Sequence, residues 1–322
     1  MVYHSGMNWM KTLWFCLGSF SLLLPLVHAD EQSQFAKQRQ TFQLAQKALQ
    51  TNQLSLYQQF YDRLEGYPLQ GYLQYLYLRH RLDHVSTDAI SDFLAQQDKT
   101  FYANRLRATW LDRLAKQQRW HDYLTFYRDP QPTERACYRL QALLATGQKQ
   151  RAFELAPALW LVPHSQNKAC DPVFERWRAA GLLTEDLRQQ RMMLALRDNQ
   201  FSIAGYLARS GPRPEQELAW VSRWQKIHQD PMSLLRQLPA SPPADSQQVS
   251  LAQDQAMSRE IILHGLERLA RRSPEQAYAQ WLKLQDHYRF TEHEIIQVHS
   301  TIGKWAALNR DDMALIYFGN IP

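Results

Sequence analysis

The chain has 322 residues, 45% of them hydrophobic and 21% charged, and a formal net charge of +6. That length can bury a large core, either as two globular domains or as one extended array. The small basic excess is spread thinly, with Arg271-Arg272 the only knot. It therefore excludes a nucleic-acid binder, which needs a dense basic face.

The N-terminus reads as an export leader over residues 1–29. Lys11 supplies the positive region, Leu13 to Leu26 the apolar run, and Val27-His28-Ala29 a small-residue cleavage site. The run is short for a membrane span and is followed at once by Asp30-Glu31-Gln32, so cleavage is expected rather than anchoring. Bulky Phe15 before Cys16, in the middle of the run, argues against lipid attachment there. No later stretch is long and apolar enough to span a bilayer. The mature chain, residues 30–322, is expected to be soluble and periplasmic or secreted. It keeps 36 Lys and Arg against 31 Asp and Glu, a net +5. A mildly positive surface serves solubility first and an anionic polymer second.

From there on the pattern is helical: rich in Ala, Leu, Gln and Arg, poor in Gly, and almost free of alternating β-branched runs. Ala48-Leu49 leads to Asn52-Gln53, Leu143-Leu144 to Gly147-Gln148, Ala195-Leu196 to Asn199-Gln200, and Ala307-Leu308 to Asn309-Arg310. Each is read as a helix ending at Gly or Asn, residues that tolerate a left-handed cap, with another helix starting at once. Between the first two breaks, Tyr57, Phe60, Tyr61, Tyr67, Tyr72, Tyr75 and Tyr77 could offer sugar-stacking faces. Their helical spacing makes packing between hairpins the simpler role. His80 and His84 stand at i and i+4, a metal-ligand spacing, but no third ligand is near them. Leu106, Trp110, Leu111 and Leu114 form a core stripe, as do Leu187, Met192, Met193 and Leu196.

Cys137 and Cys170 are the only cysteines beyond the leader, with the Gly147 break between them. In an exported chain an even pair reads as a disulfide stapling neighbouring helices, and two inert buried thiols remain the alternative. Closing that loop would restrict the unfolded chain by roughly 3.5–4 kcal/mol in the entropic view. Trp160, Trp177, Trp220, Trp224 and Trp281 read as anchors between helices. Pro239 to Ser246 is a stiff proline-rich connector within the array. Ser273-Pro274-Glu275-Gln276 and Thr291-Glu292-His293-Glu294 both fit a capping box. His293-Glu294 lacks the second histidine at position 297 that a zinc-protease helix requires. The end of the chain, Met313 to Phe318, is strongly apolar where a solenoid would close with a polar-faced cap, so the array is expected to be truncated.

Short loops between many helices imply antiparallel hairpins, each burying its apolar face on the next. The expected class is all-α, a superhelical stack of antiparallel helical hairpins. No glycine-rich phosphate loop or Gly-x-Ser-x-Gly is present, and no carboxylate has a context marking it as a glycosidic acid.

Several segments together resemble the soluble lytic murein transglycosylases. They are Tyr67-Pro68-Leu69 with Tyr72-Leu73-Gln74-Tyr75, the stretch Arg105 to Trp120, and Cys137 through Thr146-Gly147-Gln148, Leu159-Trp160-Leu161 and Asn167-Lys168-Ala169-Cys170-Asp171 to Trp177 and Gly181. The resemblance is firm over about Gly66 to Gly181 and weaker beyond Gly211. It implies the family's N-terminal domain, a U-shaped α-solenoid in the periplasm. In complete members a linker and a lysozyme-like domain follow, which cleaves the MurNAc–GlcNAc β-1,4 bond to a 1,6-anhydro product using one glutamate and no cofactor. That glutamate is followed by serine, and a Gly-Leu-Met-Gln segment comes later; this chain contains neither. No catalytic, metal or cofactor residue is therefore assigned. The expected partners are peptidoglycan glycan strands and a periplasmic protein. A scaffold inactive alone is the leading reading, ahead of a stand-alone helical adaptor and of an autonomous enzyme.

Overall fold

The computed structural model describes residues 24–239 and 249–322. Most of the expected leader and most of the proline-rich connector lie outside the described residues. Among the described residues every regular element is a helix, as the composition requires. They fall into two compact units that divide between Gln117 and Gln118.

The first unit holds α1 (Leu24–Gln50), α2 (Leu54–Asp62), α3 (Gln70–His80), α4 (Thr87–Gln96) and α5 (Phe101–Lys116). Phe42, Ala45, Ala48 and Leu49 of α1 close on Tyr57, Leu64 and Leu73. The tyrosines pack as their spacing suggests. Tyr57 stacks on Tyr77 with ring centroids 5.0 Å apart, and its hydroxyl donates to the Leu73 carbonyl at 3.3 Å. Burial and the neighbouring phenols push the Tyr57 hydroxyl far above its ordinary value, so it stays a neutral donor. Ser86 and Thr100 cap α4 and α5 by accepting from Ala89 and Ala103 N–H. The Leu106–Trp110–Leu111–Leu114 stripe is fully buried.

The second unit runs through α6 (Trp120–Phe126), α7 (Thr133–Ala145), α8 (Lys149–Trp160), a single 3-10 turn (Lys168–Cys170), α9 (Asp171–Ala179), α10 (Glu185–Arg197) and α11 (Phe201–Arg209). It continues with α12 (Pro214–Gln229), α13 (Pro231–Leu235), α14 (Ala256–Ala270), α15 (Pro274–Leu284), α16 (Glu292–Leu308) and α17 (Ala314–Gly319). Consecutive helices pair as hairpins: α7 with α8, α10 with α11, α14 with α15, α16 with α17. One continuous core threads them, anchored by Trp160, Trp177, Trp224 and Trp281, while Trp220 is only half-buried.

The helix ends follow one chemistry. Asn52, Gly147 and Asn199 have φ of 56°, 81° and 62°. In each case the next N–H bonds back to a carbonyl five residues earlier: Gln53 to Ala48 at 2.8 Å, Gln148 to Leu143 at 2.8 Å, Gln200 to Ala195 at 2.7 Å. The fourth end departs from expectation. Asn309 stays right-handed and Arg310 takes the left-handed turn, at φ 59°, because α16 winds one residue further before Asp311 N–H reaches the Ala306 carbonyl. Thr291 and Glu294 form both arms of a capping box, whereas Ser273 supplies only the forward bond, to Gln276 N–H.

The α10 stripe is also shifted from its sequence reading. Its buried face carries Arg188, Arg191, Met192, Ala195 and Leu196, with Leu187 and Met193 only half-buried. Two arginines therefore point into the packed side of the helix.

Candidate functional site

Cys137 on α7 and Cys170 at the 3-10 turn are both fully buried, with their Cα atoms 4.8 Å apart and their sulfurs joined in a disulfide. Gln141 Nε2 donates to the Ala169 carbonyl at 2.6 Å, and Asn167 Oδ1 accepts from Ala169 N–H at 2.9 Å. The turn that launches α9 is thus tied to α7 by covalent and polar links together. Behind it Trp160 meets Phe174 and Trp177 edge to face, at 5.3 and 6.0 Å between centroids.

Two open faces lie around this block. Between α8 and α9 a shallow apolar groove of about 760 Å³ runs over Phe153, Pro157, Trp177 and Leu182, with Lys149 set 5.4 Å above the Phe153 ring. Across α9, α10 and α11 lie two adjoining cavities of about 260 and 370 Å³, which share Trp160, Arg178, Tyr206 and Leu207.

The buried arginines of α10 stand at the second face in opposite circumstances. Arg188 is 5% exposed and is held by two carboxylates: its Nε donates to Glu185 at 2.7 Å and its Nη1 lies 2.7 Å from Glu217. The same guanidinium donates to the Leu207 carbonyl at 2.6 Å. Hydrogen bonding to Arg188 holds the Glu185 carboxyl below its ordinary range. Arg191, one turn on, is 6% exposed but donates only to carbonyls, Val162 at 3.1 Å and His164 at 3.0 Å, while its guanidinium lies 4.0 Å over Trp160. Desolvation lowers its affinity for its proton.

The other sequence candidates do not form a site. His80 and His84 are both exposed, and among the described residues no group of three His, Cys, Asp or Glu could hold a metal ion. Glu294 is engaged by Thr291, and His299 accepts from the Trp281 indole at 3.2 Å inside the core. Among the described residues no whole Asp or Glu is buried; Glu217 comes nearest, with its Oε2 shielded from water beside Arg188. A stacked His228–His264 pair, with Nδ1 and Nε2 3.1 Å apart, joins α12 to α14 and went unseen in the sequence. A separation of 36 residues leaves no local signal in the sequence, whereas the Arg188–Arg191 pair, three apart on one helix, could have been noticed.

A stack of antiparallel helical hairpins places the described chain in the all-α class. No family profile matches the chain. It is 27% identical over 208 residues to the soluble lytic murein transglycosylase of Salmonella typhimurium, which covers 64% of this chain and 32% of that protein. The Escherichia coli K12 protein of the same name gives 27% over 210 residues, 65% of this chain and 33% of the relative. Among solved structures, the lytic transglycosylase Slt of Pseudomonas aeruginosa, an inactive mutant, superposes with a TM-score of 0.64 at 30% identity. It covers 86% of this chain and 43% of that one. The 70 kDa soluble lytic transglycosylase of E. coli superposes at 0.65 with 22% identity, over 89% and 44%, and shows the fold alone. The family resemblance is thereby borne out: this chain is a relative of the soluble lytic murein transglycosylases, matching a part of them outside the catalytic domain. It spans about a third of the length of the curated relatives it matches.

Proposed function

We propose that residues 30–322 serve as the helical-hairpin scaffold of a murein lytic transglycosylase, exported to the periplasm by cleavage after Ala29. The Cys137–Cys170 disulfide would form there, in an oxidising compartment. The scaffold accommodates glycan strands and positions a lysozyme-like domain that lies outside these residues; alone it does not cleave the MurNAc–GlcNAc bond. What carries the reading is the fit to the Pseudomonas aeruginosa structure over 86% of this chain but 43% of that one, in a sequence with neither Glu-Ser nor Gly-Leu-Met-Gln. No described helix is long and apolar enough to cross a membrane.

A second reading, a stand-alone adaptor for a periplasmic protein, draws on α17. Its Leu315 is 81% exposed and Ile316 51%, an apolar face suited to a partner. Genomic sequence beyond codon 322 separates the two. Glu-Ser and Gly-Leu-Met-Gln segments in any frame support the scaffold, and their absence supports the adaptor.

A further inference from the structure

Arg191 is a buried charge without a counter-charge. Among the described residues no Asp or Glu comes within ion-pair distance of it, and its bonds go to two carbonyls and the Trp160 face. A buried guanidinium so placed is costly unless something anionic reaches it, as Glu185 and Glu217 reach Arg188 three residues earlier. Arg191 also lines the open cavity of about 260 Å³, where exposed Arg178, half-exposed Tyr206 and the polar groups of Ser165 and Gln166 join it. Arg191 and Arg178 thus line one open cavity, while Gln166 already donates to the Leu159 carbonyl.

Asp171 and Glu175 line the same cavity, which weighs against a dianion such as phosphate. A single carboxylate whose neighbouring atoms are amide or ammonium fits both signs of charge. We propose that this cavity binds the free carboxylate of a peptide, held between Arg191 and Arg178 with its amide or ammonium nitrogen toward Asp171 and Glu175. In murein that group is the carboxylate of a stem peptide, so the assignment of the ligand rests on the scaffold reading above. The site itself rests on the cavity and the unmatched arginine.

Calorimetric titration tests it with three probes: a disaccharide-tetrapeptide from murein, the same compound with its carboxyls amidated, and trialanine, which is foreign to murein. The wild-type chain should bind the tetrapeptide probe and bind its amidated form at least tenfold more weakly. Arg178→Gln, an exposed change that leaves the core alone, and Arg191→Met, which keeps the contact with Trp160, should each weaken binding at least tenfold. Arg197→Gln, outside the cavity, should not. Equal affinity for the amidated probe, or unchanged affinity in folded Arg178→Gln, overturns the site. If the chain sediments with sacculi while both cavity variants bind the probe normally, the scaffold stands and the site falls. If trialanine binds in an Arg178-dependent way and the murein probe does not, the site stands and its murein ligand falls.

Discussion

Cys170 and His264 carry the most direct residue-scale consequences. The Cys137–Cys170 bond is the covalent link between the 3-10 turn and α7, beside the Gln141–Ala169 hydrogen bond. Under oxidising conditions Cys170→Ser should lower thermal stability by roughly 3 kcal/mol, less if the unfolded chain keeps structure. An unchanged melting temperature would show that the bond does not form in solution. His264 is half-buried between Trp224 and His228. Burial first, then the neighbouring His228, with smaller help from Arg268 and Arg271 against the pull of Glu267, lowers its pKa from 6.5 to about 4. The folded chain therefore binds fewer protons there than the unfolded chain. The contribution is fully present above about pH 6.5 and is lost as the pH falls toward 4. His228 and His299 shift in the same direction through burial. The urea midpoint should fall between pH 7.5 and 5.5, and fall less in His264→Asn. An identical slope in that variant would place the acid sensitivity elsewhere.

Among the elements, the helix ends are where sequence and geometry agree most closely. Gly147 has φ 81° and open space where a Cβ would stand, so Gly147→Ala meets only the left-handed backbone cost, about 1–2 kcal/mol. Gly265 is the opposite case. A Cβ there would lie 2.5 Å from Ile227 Cδ1, because α12 and α14 cross closely, so Gly265→Ala should cost about 1–3 kcal/mol by overpacking. Thr291→Ala removes one arm of the capping box and should cost about 1 kcal/mol. Denaturant midpoints rank the three; Gly147→Ala with no loss would contradict the left-handed cap. Breaks at Asn52, Gly147 and Asn199 were legible because a left-handed turn selects its residue locally. Arg310 and Gln118, at φ 59° and 55°, were not, since neither is a residue type that marks a left-handed turn in the sequence. The α10 register was misread for a related reason. Apolar spacing alone assigns Leu187 and Met193 to the core, while the arginines are drawn inward by carbonyls and carboxylates from α11, α12 and the Val162–His164 loop.

For the whole molecule, fold class came readily from the sequence, since helix composition, short loops and cap residues are all local properties. The site was harder to see. Arg191, Trp160, Arg178 and Tyr206 come from four helices, and what makes them a cavity is the hairpin stacking itself. The relation to murein enzymes was readable because Cys137, Trp160, Cys170, Trp177 and Gly181 fall in one order, and because those positions fix a staple, two anchors and a turn at φ 72°. The most shielded carboxylate among the described residues, Glu217, is engaged by Arg188. The central proposal is that the chain serves as a murein scaffold and does not itself cut the glycan. Incubating the purified chain with murein sacculi, and separating pellet from soluble fragments, tests this most directly. The account expects the chain in the pellet and no 1,6-anhydro-muropeptides in solution. Release of anhydro-muropeptides above a boiled control would contradict it.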